Sequence, residues 1–146
     1  MKIVFCDIDG VLNSAYYTTH GGGGIVAVEK RKVQNLKKIM DATDAKAVII
    51  SRANSLFKSF SQQRLADIRS FGVEPFDSIT DFEFQESKEP AIRRWLKKHP
   101  EVTNYVILDD VAADLPREFG TRFIHIKTKH GLTYNHVAKA IEALNL

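Results

Sequence analysis

Three apolar runs in this sequence end in side chains that could do chemistry together. The residues that follow these runs are Asp7-Ile8-Asp9-Gly10, Ser51-Arg52 and Asp109-Asp110. Carboxylates that converge in one cleft repel each other and raise one another's pKa, and a hard divalent cation relieves that repulsion. Mg²⁺ prefers oxygen ligands and typically combines a small number of carboxylates with a phosphate of the substrate. The residue types therefore indicate a magnesium site that handles phosphate.

A carboxylate held beside such an ion can act as a nucleophile on phosphorus. The metal ion and a nearby lysine would spread the negative charge of the group being transferred. Lys88 is the candidate for that lysine, because it opens a predicted helix just before the run that ends in Asp109. The predicted chemistry is phosphoryl transfer to a carboxylate.

The elements that must position these residues alternate between strand and helix. Apolar runs predict strands at residues 2–6, 46–50, 104–108 and 123–127. Helical spacing predicts helices at about 28–42, from about 57 to a stop at Gly72, at 88–98 behind Ser87, and behind Thr133. This alternation is typical of an α/β fold in which helices cover both faces of a parallel sheet. Ligands of such sheets bind beyond the carboxyl ends of the strands, where the polar residues lie.

The order of the motifs resembles the haloacid dehalogenase (HAD) superfamily of phosphatases. Asp7-Ile8-Asp9-Gly10-Val11-Leu12 is similar to its first signature, and Ser51 to its second. Lys88 matches the third signature, and Leu108-Asp109-Asp110 the fourth. The run from Asn104 to Asp110 and the tail from Gly131 look like the small HAD domains of bacteria, phages and multi-enzyme RNA-repair proteins. The resemblance implies a three-layer, Rossmann-like HAD core over residues 1–146.

The resemblance also implies the catalytic roles. Asp7 would be the nucleophile and a metal ligand. Asp9 would protonate the leaving oxygen and then activate water, and its backbone carbonyl would bind the metal. Ser51 would donate a hydrogen bond to the phosphoryl group. Lys88 would neutralise that group and restrain Asp7.

The remaining roles concern the metal shell and the substrate. Asp110 would complete the Mg²⁺ site, with Asp109 beside it as a further ligand or an orienting group. Gly10 would let the chain turn sharply beneath the phosphate. Arg52 departs from the family pattern, which often continues with tryptophan and arginine after the serine, and is a candidate for an extra phosphate contact. Asp114 is as compatible with a helix or turn cap as with the metal shell.

The lengths between motifs bear on the substrate. Residues 14–27, which include Tyr16, Tyr17 and four glycines, are long enough for a flap or loop and too short for a cap domain. An open site without a cap suits a phosphate on a large substrate, such as a nucleic-acid end. Small phosphate esters or nucleotides remain an alternative substrate class.

Composition and charge bear on the binding partners and the cellular location of the protein. The 146 residues carry a formal charge of +3, which is compatible with a polyanionic partner without requiring one. Cys6 is the only cysteine, so no internal disulfide can form and we expect a reducing, cytoplasmic location. Strand alternation points Cys6 away from Asp7, so we expect a buried thiol. No apolar run is long enough to span a membrane. Basic runs at residues 30–32, 37–38, 93–94 and 97–98 are typical of solvated helix faces, with contact to a nucleic-acid backbone as the alternative. The sequence leaves the oligomeric state open.

Two functions other than an enzyme fit part of the pattern. Receiver domains also combine an acidic pair, a hydroxyl residue and a lysine around a phosphorylated aspartate. That aspartate ends a middle strand, whereas Ser51 follows Val48-Ile49-Ile50 here. A degenerate phosphate-binding module is the other alternative, although every catalytic residue type is present.

Overall fold

The fold is described by a computed structural model over residues 1–14, 27–51, 58–83, 86–111 and 115–146, with only the backbone at 58–60, 115 and 116. The strands are β1 (Lys2–Cys6), β2 (Lys46–Ile49), β3 (Asp77–Ser78), β4 (Asn104–Asp109) and β5 (Phe123–His125). The helices are α1 (Lys30–Thr43), α2 (Lys58–Ser70), α3 (Lys88–Lys98), α4 (Leu115–Phe119) and α5 (Tyr134–Leu144), with a 3₁₀ turn at Gly120–Arg122.

The strands form one parallel sheet in the order β3-β2-β1-β4-β5. This confirms the α/β, Rossmann-like fold expected from the sequence. The edge strand β3 was not predicted, because its two paired residues, Asp77 and Ser78, contain no apolar run. The short α4 was not predicted either. Strand β5 ends at His125 rather than at 127, since its register against β4 ends with the pair Asp109 and His125.

Helices cover both faces of the sheet, and β1 shows how its side chains divide between them. Val4 and Cys6 pack into one buried cluster with residues of α1, α2 and α5. Ile3 and Phe5 pack into the other with residues of α3 and with Phe119 of α4. Successive side chains of a strand point to opposite faces, so a strand buried on both sides reads as a continuous apolar run. The Cys6 thiol is buried, and burial raises its pKa.

The carboxyl ends of three adjacent strands are tied together at one edge. The amide of Asp7 donates to the carbonyl of Leu108 at 3.0 Å, and the amide of Ile50 donates to the carbonyl of Cys6 at 3.0 Å. These bonds set the residues after β1, β2 and β4 side by side. Within the described ranges, this edge is formed by the core alone, without a cap domain.

Three sequence predictions fall on residues for which no structure is described. The flap expected at 14–27 lies almost wholly in 15–26, and Arg52 and Asp114 also lie outside the described residues. None of the helices that the described ranges contain is long and apolar enough to cross a bilayer.

Candidate active site

The candidate site begins with a tight turn after β1. The amide of Leu12 donates to the carbonyl of Ile8 at 2.8 Å, and the amide of Gly10 donates to Oδ1 of Asn13 at 2.9 Å. Gly10 has a φ of +80°, a conformation that other residues rarely adopt. The turn brings the chain back under the end of β1, so Asp7 and Asp9 both lie at the carboxyl ends of the strands.

Lys88 joins the ends of β1 and β4. Its Nζ lies 3.1 Å from Oδ2 of Asp7 and donates to Oδ2 of Asp109 at 2.7 Å. All three side chains are at least nine-tenths buried. A hydrogen bond from the amide of Ile8 to Oδ1 of Asp7, at 2.8 Å, fixes the other oxygen of that carboxylate. The lysine therefore bridges the carboxylates of Asp7 and Asp109.

Burial and like charges dominate the electrostatics of this group. Burial raises the pKa of Asp7 to about 7, against the opposing effect of Lys88 and with a further rise from Asp109. Burial also raises the pKa of Asp109, although Lys88 opposes it. Burial alone would lower the pKa of Lys88, but the carboxylates of Asp7 and Asp109 hold it above its ordinary value. Two carboxylates share one lysine here, so a cation would relieve the remaining repulsion.

Asp110 adds a third carboxylate to the pair. One oxygen each from Asp7, Asp109 and Asp110 lie within 4.8 Å of one another. Thr128 donates a hydrogen bond to Oδ2 of Asp110 at 2.7 Å. A side chain at Gly10 would collide with Asp110, since a Cβ built there would lie 2.3 Å from Oδ2. Three hard oxygen donors around one point suit Mg²⁺, and Asp7, Asp109 and Asp110 would hold it.

The side chain of Asp9 has a different set of partners. Its Oδ1 lies 3.0 Å from Nη2 of Arg64 and accepts a hydrogen bond from Nδ2 of Asn13 at 3.3 Å. The Arg64 side chain, on α2, is 2% exposed, while that of Asp9 is 45% exposed. Asp9 is thus held by a buried cation from below and open to solvent above, a suitable position for exchanging protons with a substrate.

Comparison with known families agrees with this geometry. The sequence profile of the HAD domain in Swiss Army Knife RNA repair proteins matches residues 3–137. The chain belongs to this family. The HAD domain therefore falls in a superfamily of hydrolases and phosphatases, and its aspartate cluster is suited to the Mg²⁺ that such domains typically use. No curated protein and no solved structure matches the chain significantly.

The HAD domain brings most of the predicted site residues to one edge. Asp7, Lys88, Asp109 and Asp110 form the buried group described above, and Gly10 packs against Asp110. Ser51 is buried directly beyond β2, beside the end of β1. The Asp9 side chain stands apart from the carboxylate cluster, so a metal role for this residue rests on its backbone carbonyl.

Three residues that contact the candidate site were not predicted from the sequence. Asn13 and Thr128 lie in loops, and neither carries a local signal of its partner. Arg64 does carry one, because it precedes Ile68 by four residues and so shares the buried face of α2. A basic residue on the apolar face of a helix indicates an acidic partner that compensates its buried charge.

Proposed function

We propose that this chain is a Mg²⁺-dependent phosphomonoesterase that works through an aspartyl-phosphate on Asp7. The observation that carries the proposal is the convergence of Asp7, Asp109 and Asp110 within 4.8 Å, with Lys88 at 3.1 Å from Asp7. Bound Mg²⁺ would supply charge neutralisation for the phosphoryl group. The burial of Asp7 keeps water away from the nucleophile, and Lys88 holds it in one orientation.

In the first step, a carboxylate oxygen of Asp7 forms a bond to phosphorus while the ester P–O bond breaks. Asp9 gives its proton to the departing oxygen, which leaves as an alcohol. In the second step, Asp9 takes a proton from a water molecule that attacks the phosphorus. The acyl phosphate bond breaks, which restores the Asp7 carboxylate and releases inorganic phosphate. Ser51 and Lys88 bind the phosphoryl oxygens in both steps.

The proposed substrate is an exposed phosphate on a large molecule, such as a nucleic-acid end. Two observations support this class: the open position of Asp9, whose side chain is 45% exposed, and the family's occurrence in RNA repair proteins. Small phosphate esters or nucleotides are the alternative class for the same chemistry. A receiver-like module would instead keep its phosphate on the protein.

A phosphate-release assay tests the proposal. The substrates are oligonucleotides with 3′- or 5′-phosphates, nucleotides, phosphopeptides and sugar phosphates, each with Mg²⁺ and with EDTA. We expect Mg²⁺-dependent release that is lost in Asp7→Asn, which removes the nucleophile with little change of shape. If Mg²⁺ binds normally in calorimetry and no substrate is hydrolysed, the proposal is wrong. A long-lived phosphoprotein without turnover would favour the receiver-like alternative.

A further inference from the structure

A second polar cleft lies outside the carboxylate cluster, between the first turns of α1 and the start of α5. Its volume is about 460 Å³, and the residues that line it include Arg31, Lys32, Lys38, Thr133 and Tyr134. The side chain of Asn35, buried beneath the cleft, donates to the carbonyl of Leu132 at 2.9 Å and fixes α1 to the segment before α5. The cleft is therefore built on two helices that this bond holds together.

The cleft carries an excess of positive charge. Arg31 and Lys38 are exposed, and burial together with the charge of Arg31 lowers the pKa of Lys32, against the effect of Glu29. The pKa of His136 is also lowered, by burial and then by Lys139, Lys32, His125 and His130. Glu29 is the one acidic side chain that lines the cleft within the described residues. A polyanion would relieve this repulsion.

Tyr134 provides an aromatic surface among these cations. It is 73% exposed, and Nζ of Lys38 lies 5.3 Å from the centre of its ring. An exposed aromatic ring beside cations is the combination that binds single-stranded nucleic acid, because bases stack on the ring while the cations contact the backbone phosphates. An acidic peptide would use the cations and leave the ring without a role.

The segments that form the cleft are hydrogen-bonded to the loop that carries Asp9. The amide of Glu29 donates to the carbonyl of Leu12, and the amide of Leu132 donates to the carbonyl of Val11, both at 2.8 Å. A Cβ built on Gly131 would lie 3.0 Å from the carbonyl oxygen of Asn13 and 3.2 Å from Cε of Lys32. Asn13 is the residue that donates to Asp9. A single strand of nucleic acid bound in the cleft would thus extend past the edge of the candidate site.

The loop that contains Lys127, Thr128 and Lys129 adds positive charge between the cleft and the carboxylate cluster. Lys127 and Lys129 are exposed and flank Thr128, which donates to Asp110. Basic side chains therefore form a row from the carboxylate cluster, past Gly131, to Arg31 and Lys38. The spacing of phosphates along a strand requires a track of this kind rather than a single basic residue.

We propose that this cleft binds the single-stranded nucleic acid that carries the terminal phosphate. Arg31, Lys32 and Lys38 contact backbone phosphates, and Tyr134 stacks on a base. The strand binding itself is independent of catalysis, whereas the delivery of its end to Asp7 rests on the proposed function.

Binding is measured by anisotropy with a fluorescein-labelled oligothymidylate that has hydroxyl ends, over a range of salt concentrations. Tyr134→Ala is expected to weaken binding about tenfold, the loss that follows from removing one stacked base. Lys38→Glu is expected to weaken binding and to lower the slope of log K against log salt by about 0.7 for each phosphate that the variant no longer neutralises. Arg31→Glu should act in the same way.

The matched control is Lys46→Glu. Lys46 is also an exposed lysine beside a ring, 4.9 Å from the centre of Phe76, but it begins β2 at the opposite end of the strands. Equal weakening by Lys46→Glu, or no effect of Tyr134→Ala, would overturn the inference. Equal competition by polyglutamate at the same charge concentration would also overturn it, in favour of an acidic protein partner.

Catalysis provides the second readout. In Tyr134→Ala, the KM for an oligonucleotide phosphate, divided by that for p-nitrophenyl phosphate, is expected to rise about tenfold. An unchanged ratio in an active enzyme refutes delivery of the strand to the site and leaves the proposed function intact. Binding with the expected variant pattern but without hydrolysis supports the cleft and counts against the proposed function.

Discussion

Nη2 of Arg64 lies 3.0 Å from Oδ1 of Asp9, so a fully buried arginine is paired with an aspartate that faces solvent. Removing an arginine side chain from water costs several kcal/mol unless a charge or hydrogen bonds compensate for it. The pairing also fixes the carboxylate of Asp9 from the protein side. In the proposed mechanism Asp9 is the general acid, which must be held within hydrogen-bond reach of the leaving oxygen, so Arg64 is well placed as a positioning residue.

Replacing Arg64 should therefore affect proton transfer more than attack on phosphorus. For Arg64→Lys and Arg64→Met we expect kcat to fall about tenfold or more on alkyl phosphates, whose poor leaving groups need the proton from Asp9. The loss should be much smaller on p-nitrophenyl phosphate, whose leaving group departs readily as an anion. Steady-state kinetics on both substrates make the comparison.

Arg69→Met is the control for Arg64, because Arg69 lies on the same helix but is exposed and paired with Glu74. It should leave both activities unchanged. Equal losses on the two substrates in Arg64→Lys would show that Arg64 serves the fold and not Asp9.

Gly10→Ala should disrupt the metal site through Asp110. The added methyl group would lie 2.3 Å from Oδ2 and 2.8 Å from Cγ of Asp110, on a residue with a φ of +80°. Gly120→Ala is the matched control, because Gly120 also has a positive φ, of +59°, but among the described residues no atom beyond its chain neighbours lies within 4 Å of the new methyl group. Both variants should lose about 1 kcal/mol of stability through backbone strain. Weaker Mg²⁺ binding, measured by calorimetry, is expected for Gly10→Ala alone.

The raised pKa of Asp7 predicts how stability depends on pH without metal. From about pH 4 to about pH 7 the folded protein keeps a proton that the unfolded chain has lost, since the pKa of Asp7 rises from 3.8 to about 7. The free energy of unfolding should therefore decrease as the pH rises through this window. Roughly three pKa units at about 1.4 kcal/mol each give an upper limit of about 4 kcal/mol.

Urea denaturation in EDTA across this pH range measures that decrease. Asp7→Asn cannot ionise at this position, so its stability should decrease less over the same window. Asp41→Asn is the control, because Asp41 is exposed and paired with Lys37 on α1. Saturating Mg²⁺ should remove most of the decrease in the unmodified protein by stabilising the ionised form. Parallel curves for Asp7→Asn and the unmodified protein would contradict the assignment of this proton.

Thr128→Val should weaken the metal site without touching a charge. The hydroxyl of Thr128 orients Asp110 through a hydrogen bond of 2.7 Å to Oδ2, and valine keeps the shape while removing the donor. Changes to groups that orient ligands typically cost about tenfold or more in metal affinity. Thr121→Val, at an exposed threonine in the 3₁₀ turn, should leave Mg²⁺ affinity unchanged. An unchanged affinity in Thr128→Val would mean that the hydrogen bond does not orient Asp110 for the ion.

The sheet and most of the site could be predicted because their signals are local. A continuous apolar run predicts a buried parallel strand, and the polar residue after it must lie at the carboxyl edge. Asp7, Ser51 and Asp109 each follow such a run directly, and Lys88 begins the helix that precedes β4. The two-residue β3 and the short α4 lack a periodic pattern, so their formation depends on the neighbours against which they pack.

The sequence by itself determined the fold class, the family and the residues that reach one edge of the sheet. The tertiary structure decided which of these residues form ion pairs with one another. Lys88 pairs with Asp7 and Asp109, while Asp9 pairs with Arg64. It also placed Tyr134 and the cations of α1 around one cleft. These relationships join residues far apart in the chain, and they depend on how helices pack on the sheet, which no local pattern of residues specifies.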